Sequence, residues 1–241
     1  MIGIFGFGRF GELTARYLAE DFPVVVRDTG GNAKRIEAVG ARAADLETTA
    51  GQEILILSVP ISALKDTLEQ IAPYLKRGAL VLDVSSVKVL PDKWLAEILP
   101  PSVSYLPTHP MFGPDSAADS LEGRKMVLCP GRVDSKQYTC IKSYLQNKGI
   151  DVIETTPEAH DREIAVSLAL THFIGRSLSE FGAEELRIDT EGYKRLLHIL
   201  DVVENDTWQL FFDMNYYNPF AGEVRDSFLY AMEEIKSMLE S

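Results

Sequence analysis

The sequence predicts an α/β protein: a doubly wound parallel sheet followed by an all-helical domain. Three observations predict it. A glycine-rich turn follows directly on an apolar strand, Met1-Ile2-Gly3-Ile4-Phe5. Short apolar strands then alternate with amphipathic helices through residue 155, the pattern of a parallel sheet covered on both faces. From Thr156 onward every periodic stretch is helical. The expected division is therefore 1–155 and 156–241.

Residues 1–5 run into Gly6-Phe7-Gly8-Arg9-Phe10-Gly11 and a helix expected over 12–20. In that context Gly6 permits a tight turn, Gly8 lets backbone approach a pyrophosphate, and Gly11 allows close helix–strand packing. The helix N-terminus supplies free N–H groups for phosphate. The motif makes the first half a Rossmann-type dinucleotide-binding domain. A strand over 23–27 ends at Asp28, twenty residues beyond Gly8, where an acid would hold the ribose hydroxyls of NAD. Asp28 would repel a 2′-phosphate and so favours NAD. Arg27, Lys34 and Arg35 are near enough to attract one, which keeps NADP possible, although a solvated helix face explains them as well.

Further strands are expected over 41–44, 53–59, 79–84 and 103–106, with helices from Pro60 to about 74 and over 92–98. Strands over 125–129 and 151–154 flank a helix over 135–148 and complete the domain. Ligands of such sheets bind outside the carboxyl ends of the strands. Those ends carry Gly6-Phe7-Gly8, Asp28, Ser58-Val59-Pro60, Ser85-Ser86-Val87-Lys88 and Thr108-His109-Pro110. Ser58, Val59 and Pro60 are expected to line the cofactor, and Ser85, Ser86 and His109 to face whatever reacts with the nicotinamide. Pro107, Pro110 and Pro114 remove donors and fix φ, so His109 is expected on a rigid loop after the strand. A histidine with an unperturbed pKa of about 6.5 suits removal of a hydroxyl proton as hydride leaves, and Ser86 could orient it.

In the second half Thr156 and Pro157 are placed to start a helix that reaches about residue 181. Its apolar residues cover most of its circumference, so it should be buried on nearly all sides. Helices over 191–203, 206–217 and 221–239 follow. So little helix can hardly bury so apolar a member unaided, which points to a homodimer with intertwined helical domains. His172, mid-way along that helix, reads from the residues alone as a core histidine. His160 could be a capping residue, and His198 structural or on the surface.

The net charge of −12 argues against nucleic acid or an anionic membrane as partner. Cys129 and Cys140 fit a reducing compartment and form no metal-ligand cluster. No apolar run is long enough to span a bilayer, and a first strand at Met1 leaves no room for a signal peptide. The expectation is a cytoplasmic protein.

The residues resemble the prephenate/arogenate dehydrogenases of tyrosine biosynthesis over nearly the whole chain. The resemblance is carried by the glycine turn, Asp83-Val84-Ser85-Ser86-Val87-Lys88, the His-Pro-Met-Phe-Gly-Pro string from His109 and Ala159-His160-Asp161-Arg162. Thr171-His172-Phe173-Ile174-Gly175-Arg176 and Asp189-Thr190-Glu191-Gly192-Tyr193 are similar to the plant-type branch. The resemblance implies oxidative decarboxylation of a cyclohexadienyl substrate, with a helical dimerisation domain. It implies that His109 accepts a hydrogen bond from the ring hydroxyl, that Ser86 orients both, and that Thr171 and His172 face the active site. Asp119, ten residues after His109, resembles an aspartate that goes with arogenate, whose ammonium a carboxylate would attract. Asp28-Thr29 departs from the Ser-Arg pair of the plant branch. The cation for the ring carboxylate is left between the Tyr193-Lys194-Arg195 stretch and Arg176. The chain's end at Ser241 leaves no room for a regulatory or chorismate mutase domain, so any tyrosine inhibition is expected at the active site. Two other readings compete: a reductase of imines or 3-hydroxy acids, and a non-catalytic NAD-binding sensor.

Overall fold

The computed structural model describes residues 1–240, which divide into a compact unit Met1–Pro157 and a second from Glu158 onward. The first unit alternates β1 (Ile2–Phe5), α1 (Arg9–Ala19), β2 (Val24–Arg27), α2 (Ala33–Ala38), β3 (Arg42–Ala43), α3 (Leu46–Ala50) and β4 (Ile54–Leu57). It continues through α4 (Ile61–Ile71), β5 (Leu80–Asp83), α5 (Val89–Ile98), β6 (Ser104–Pro110), β7 (Lys125–Leu128), α6 (Ser135–Asn147) and β8 (Asp151–Glu154). The strands form one sheet in the order β3-β2-β1-β4-β5-β6-β7-β8. The first six are parallel, with the strand order reversing between β1 and β4, the topological switch at which such sheets bind dinucleotides. One face packs Phe5, Leu55, Leu57, Leu64, Leu68, Val81 and Leu95, and the other packs Ile2, Ile4, Val24, Val26 and Ile36. Burial on both faces explains why these strands are almost continuously apolar.

Three departures from expectation have local causes. Helix α1 begins at Arg9 rather than residue 12, because Gly11 lies inside its first turn. Helix α5 begins at Val89, since Pro91 falls in the first turn, where its missing N–H costs nothing. The third concerns His109, which is not on a loop: β6 runs on to Pro110. From Ser104 to Pro107 it pairs in parallel with β5, and from Thr108 to Pro110 it pairs antiparallel with β7. Each proline is tolerated because the regular ladder lies on one side of the strand at a time. Strand β8 is parallel to β7, so the last two strands run against the other six.

The second unit begins with α7 (Pro157–Ile164), a π-helical stretch (Ala165–Leu170) and α8 (Thr171–Phe181), which Gly182 ends in the left-handed conformation at φ 79°. Helices α9 (Glu191–Glu204), capped by Thr190, α10 (Trp208–Tyr216), capped by Thr207, and α11 (Ala221–Leu239) follow. Gly175 brings α8 close to α9, where an added Cβ would stand 2.8 Å from the Val203 side chain. The Asn218 side chain donates to the Asp161 carbonyl at 2.8 Å. The first helix is not buried all round in one chain: Ile164, Ala165, Ala169, His172 and Gly175 are covered, while Val166 is 53% exposed. Too few helices surround it. Among the described residues no helix is long and apolar enough to cross a membrane.

Candidate active site

The glycine turn is built by contacts that admit no side chain. Gly6 has φ 93°, and a Cβ there would lie 2.1 Å from the Ser58 carbonyl oxygen. A Cβ on Gly11 would lie 2.2 Å from the Gly6 carbonyl. Gly8 is the opposite case: its φ of −69° is ordinary, and nothing lies within 4 Å of an added Cβ. The fold needs glycine at 6 and 11. At position 8 only a ligand would need it. The turn thus fits a dinucleotide, with the open N–H groups of α1 beside it.

Asp28 closes the turn from β2. Its carboxylate accepts from Phe7 N at 2.9 Å, Gly30 N at 2.8 Å and the Asn32 side chain at 2.7 Å. Partial burial pushes its pKa up, but these hydrogen bonds and Arg27 outweigh that and hold it below the usual carboxylate range. Three of its roughly four acceptor sites are in use, which leaves one directed elsewhere. The Phe7 ring packs in the core, so only its backbone is available at the turn. Arg9 pairs with Asp115 at 2.5 Å, and the Phe10 and Phe112 rings lie 6.0 Å apart, tying the start of α1 to the segment after His109. Arg35 is held by Glu12 and Asn32, and Arg27 by the Asp28 carbonyl. Ser58, Val59 and Pro60 form the partly exposed link from β4 to α4.

At the ends of β5 and β6, His109 and Ser86 are both buried. The Ser86 hydroxyl is buried without a protein partner, a costly state that a bound polar group would relieve. Ser85 is engaged differently: its hydroxyl donates to the Asp83 carboxylate and lies 3.1 Å from the Val87 carbonyl. Between these residues lies a pair that the sequence reading passed over. Asp83 and Lys88 are fully buried and bonded to each other, and Lys88 also donates to the Thr108 carbonyl at 2.6 Å. A lysine just after a strand reads as a solvent cation; its place in the Asp-Val-Ser-Ser-Val-Lys string was the only signal. Asp119 is exposed on the segment between β6 and β7.

In the helical unit, His172 is buried, with Nε2 3.6 Å from the Asp206 carboxylate and Nδ1 unpaired. Burial lowers its pKa, Asp206 raises it and Arg176 lowers it, with a net fall. The contact with Asp206 does not prevail, since that carboxylate is partly exposed and screened. Arg176 donates to the Asp206 carbonyl, and its guanidinium lies 4.5 Å from the Trp208 ring centre, while its buried Nε has no partner. The Thr171 hydroxyl donates to its own helix at Ser167. Tyr193 donates to the Glu184 carbonyl, Lys194 pairs with Asp189 and Glu191, and Arg195 is exposed on α9. His172 and Arg176 thus share one cluster with Asp206, which the α9 residues do not join. His160 is buried with Nδ1 2.7 Å from Asp161, and the exposed His198 pairs with Asp201.

Residues 27–154 match the family model described as prephenate dehydrogenase, nucleotide-binding domain, and residues 177–241 one described as TYRAAT1-like, C-terminal domain. The chain is 30% identical over 249 residues to arogenate dehydrogenase 2, chloroplastic, of Arabidopsis thaliana, covering 99% of this chain and 69% of the relative. It is 27% identical over 245 residues to the probable arogenate/prephenate dehydrogenase of Methanocaldococcus jannaschii, covering 96% of this chain and 54% of the relative. It therefore spans about two thirds of the first relative's length and about half of the second's. The fold is that of the A. aeolicus prephenate dehydrogenase crystallised with hydroxyphenyl propionate and NAD+, at TM-score 0.80 and 20% identity over 99% of this chain and 90% of that one. Synechocystis arogenate dehydrogenase gives 0.74 and 21% over 99% and 91%. The chain belongs to the prephenate/arogenate dehydrogenase family of NAD(P)-dependent oxidoreductases.

Proposed function

We propose that this chain catalyses the NAD-dependent oxidative decarboxylation of arogenate, with prephenate as a second substrate, using His109 and Ser86. The observation that carries the reading is the Ser86 hydroxyl, buried without a partner at the strand end next to that of His109. Gly6, Gly8 and Gly11 would hold the pyrophosphate and Asp28 the adenosine ribose, with Ser58, Val59 and Pro60 along the cofactor. Bound NAD would take hydride from the ring carbon bearing the hydroxyl while the ring carboxylate leaves as CO2. The imidazole of His109 accepts a hydrogen bond from the ring hydroxyl and takes up its proton as the oxygen gains carbonyl character. It returns the proton to the phenol oxygen once the ring is aromatic, while Ser86 orients the hydroxyl and the imidazole. Burial of both keeps bulk water from competing for those hydrogen bonds. Asp119 would attract the ammonium of arogenate. Thr171 and His172 would contribute to the substrate site, and a cation among Arg176, Lys194 and Arg195 would hold the ring carboxylate.

The test is nicotinamide reduction with arogenate, prephenate and a 3-hydroxy acid. Turnover of either cyclohexadienyl substrate is expected, and His109→Ala should cost about 10²–10⁴-fold in kcat, the usual contribution of a general base. Equal rates in the two proteins would dismiss His109. We also propose that the helical unit pairs with a second copy: Phe212 and Tyr216 on α10 and Tyr230, Ile235 and Met238 on α11 are exposed in the single chain. Cys129 and Cys140, which form no disulfide with each other, fit a cytoplasmic setting, which cell fractionation would check.

A further inference from the structure

A buried ion pair is a poor way to gain stability, because desolvation of two charges offsets most of their attraction and apolar replacements often do as well. Asp83 and Lys88 are nonetheless fully buried. The partners explain what they do. The Lys88 ammonium donates to the Asp83 carboxylate and to the Thr108 carbonyl, and lies 3.3 Å from the Ser85 hydroxyl, so its three protons are accounted for. Asp83 accepts from Ser85 N at 3.1 Å and Thr108 N at 3.3 Å, and its backbone carbonyl accepts from the Thr108 hydroxyl at 2.6 Å. The Thr108 carbonyl belongs to the peptide that joins Thr108 to His109. Ser86 sits in the turn that the bond from Lys88 back to Asp83 closes.

We infer that Lys88 and Asp83 are positioning residues for the oxidation: the pair locks the Thr108–His109 peptide of β6 to the Ser86 turn of β5. The inference rests on the reading of His109 and Ser86 as the reacting pair. Past Asp83 the regular pairing of β5 with β6 ends, and β6 turns to β7. The ion pair bridges the two strand ends where that ladder stops. A charged group is needed because one side chain must donate to a carboxylate and a backbone carbonyl at once, which no apolar residue can do.

The test uses the full chain. Single variants leave one charge buried and alone, so the main variant is Asp83→Asn with Lys88→Met, which removes both. Folding is followed by circular dichroism and thermal melting, NAD binding by calorimetry, and turnover with arogenate and prephenate. The expected result is a folded protein with Kd for NAD within about threefold of wild type and kcat reduced about 100-fold, with KM little changed. In that background His109→Ala should bring kcat no lower than His109→Ala alone does, since residues acting through one group are not additive. Wild-type kcat in the folded double variant would overturn the inference, as would a full additive loss on adding His109→Ala. Should the double variant not fold, Asp83→Asn with Lys88→Gln decides: it removes both charges but keeps polar groups, and the glutamine, one bond shorter than lysine, cannot hold Asp83 and the Thr108 carbonyl together. It should lower kcat about tenfold without changing the Kd for NAD, and wild-type kcat in it overturns the inference. Full activity in His109→Ala alone sinks the parent reading instead.

Discussion

Gly6 and Gly8 are two residues apart, yet their alanine variants should fail in different ways. At Gly6 a Cβ meets the Ser58 carbonyl at 2.1 Å on a backbone with φ 93°. The left-handed conformation costs a non-glycine residue about 1–2 kcal/mol, and overpacking against fixed backbone costs about 1–3 kcal/mol more. The sum, about 2–5 kcal/mol at roughly 2–4 °C per kcal/mol for a unit of this size, lowers Tm by about 4–20 °C. At Gly8 the backbone is ordinary and the space empty, so alanine should leave Tm unchanged or raise it through a stiffer unfolded chain, by about 0.4–1 kcal/mol. That empty space is where a pyrophosphate would approach. Gly8→Ala should therefore weaken NAD binding about 10–100-fold, equivalent to about 1.4–2.8 kcal/mol. Calorimetry of NAD binding alongside differential scanning calorimetry reads both effects. A Gly8→Ala protein that binds NAD as tightly as wild type would refute the placement of the pyrophosphate.

Other outcomes follow from the same geometry. Asp28→Ser removes an ionised carboxylate from the end of β2 and should raise relative kcat/KM for NADP about tenfold or more; an unchanged ratio would leave cofactor choice to the neighbouring cations. Asp119→Asn should shift preference from arogenate toward prephenate by only about twofold to fivefold, because the residue is exposed and its ion pairs are screened; a constant substrate ratio would remove Asp119 from specificity. His172 has a lowered pKa in the folded state, with burial the main cause. The unfolded chain therefore takes up the proton first, at about pH 6.5, and stability falls as pH drops through that value toward the folded pKa. Wild-type Tm should fall more steeply than that of His172→Asn between about pH 7.5 and 5.5; parallel curves would contradict it. Sedimentation should give a dimeric mass that dilution or Tyr230→Asp with Ile235→Asp reduces, and a monomer at all concentrations would end the proposal of pairing.

What the sequence showed best was local. The glycine turn, the acid at the end of β2 and the apolar strands each arise from interactions within a few residues, and the structure places them as the pattern implies. The extension of β6 was hidden because its prolines argue against a strand unless one knows that β6 exchanges neighbours at Pro107. Helices α2 and α3 are short; α3 depends on a cap in which Asp45 accepts from Thr48 N at 2.8 Å, too brief a signal for periodicity. Lys88 was overlooked because burial of a lysine is decided by partners distant in the chain, here Thr108. The π-helical stretch has no compositional mark, and apolar residues all round a helix do not say whether the cover comes from the same chain.

The change of direction between β6 and β7 has a wider meaning. Immediately after the imidazole, Met111 N donates to the Lys125 carbonyl at 2.9 Å, so the excursion over residues 112–124 leaves and rejoins the sheet through one clasp. On the reading of His109 as the proton acceptor, this clasp would hold it in register with the sheet while residues of the excursion change. On the reading of Asp119 as the group that meets the ammonium, substitutions there would then tune substrate preference without disturbing the strand that carries the imidazole.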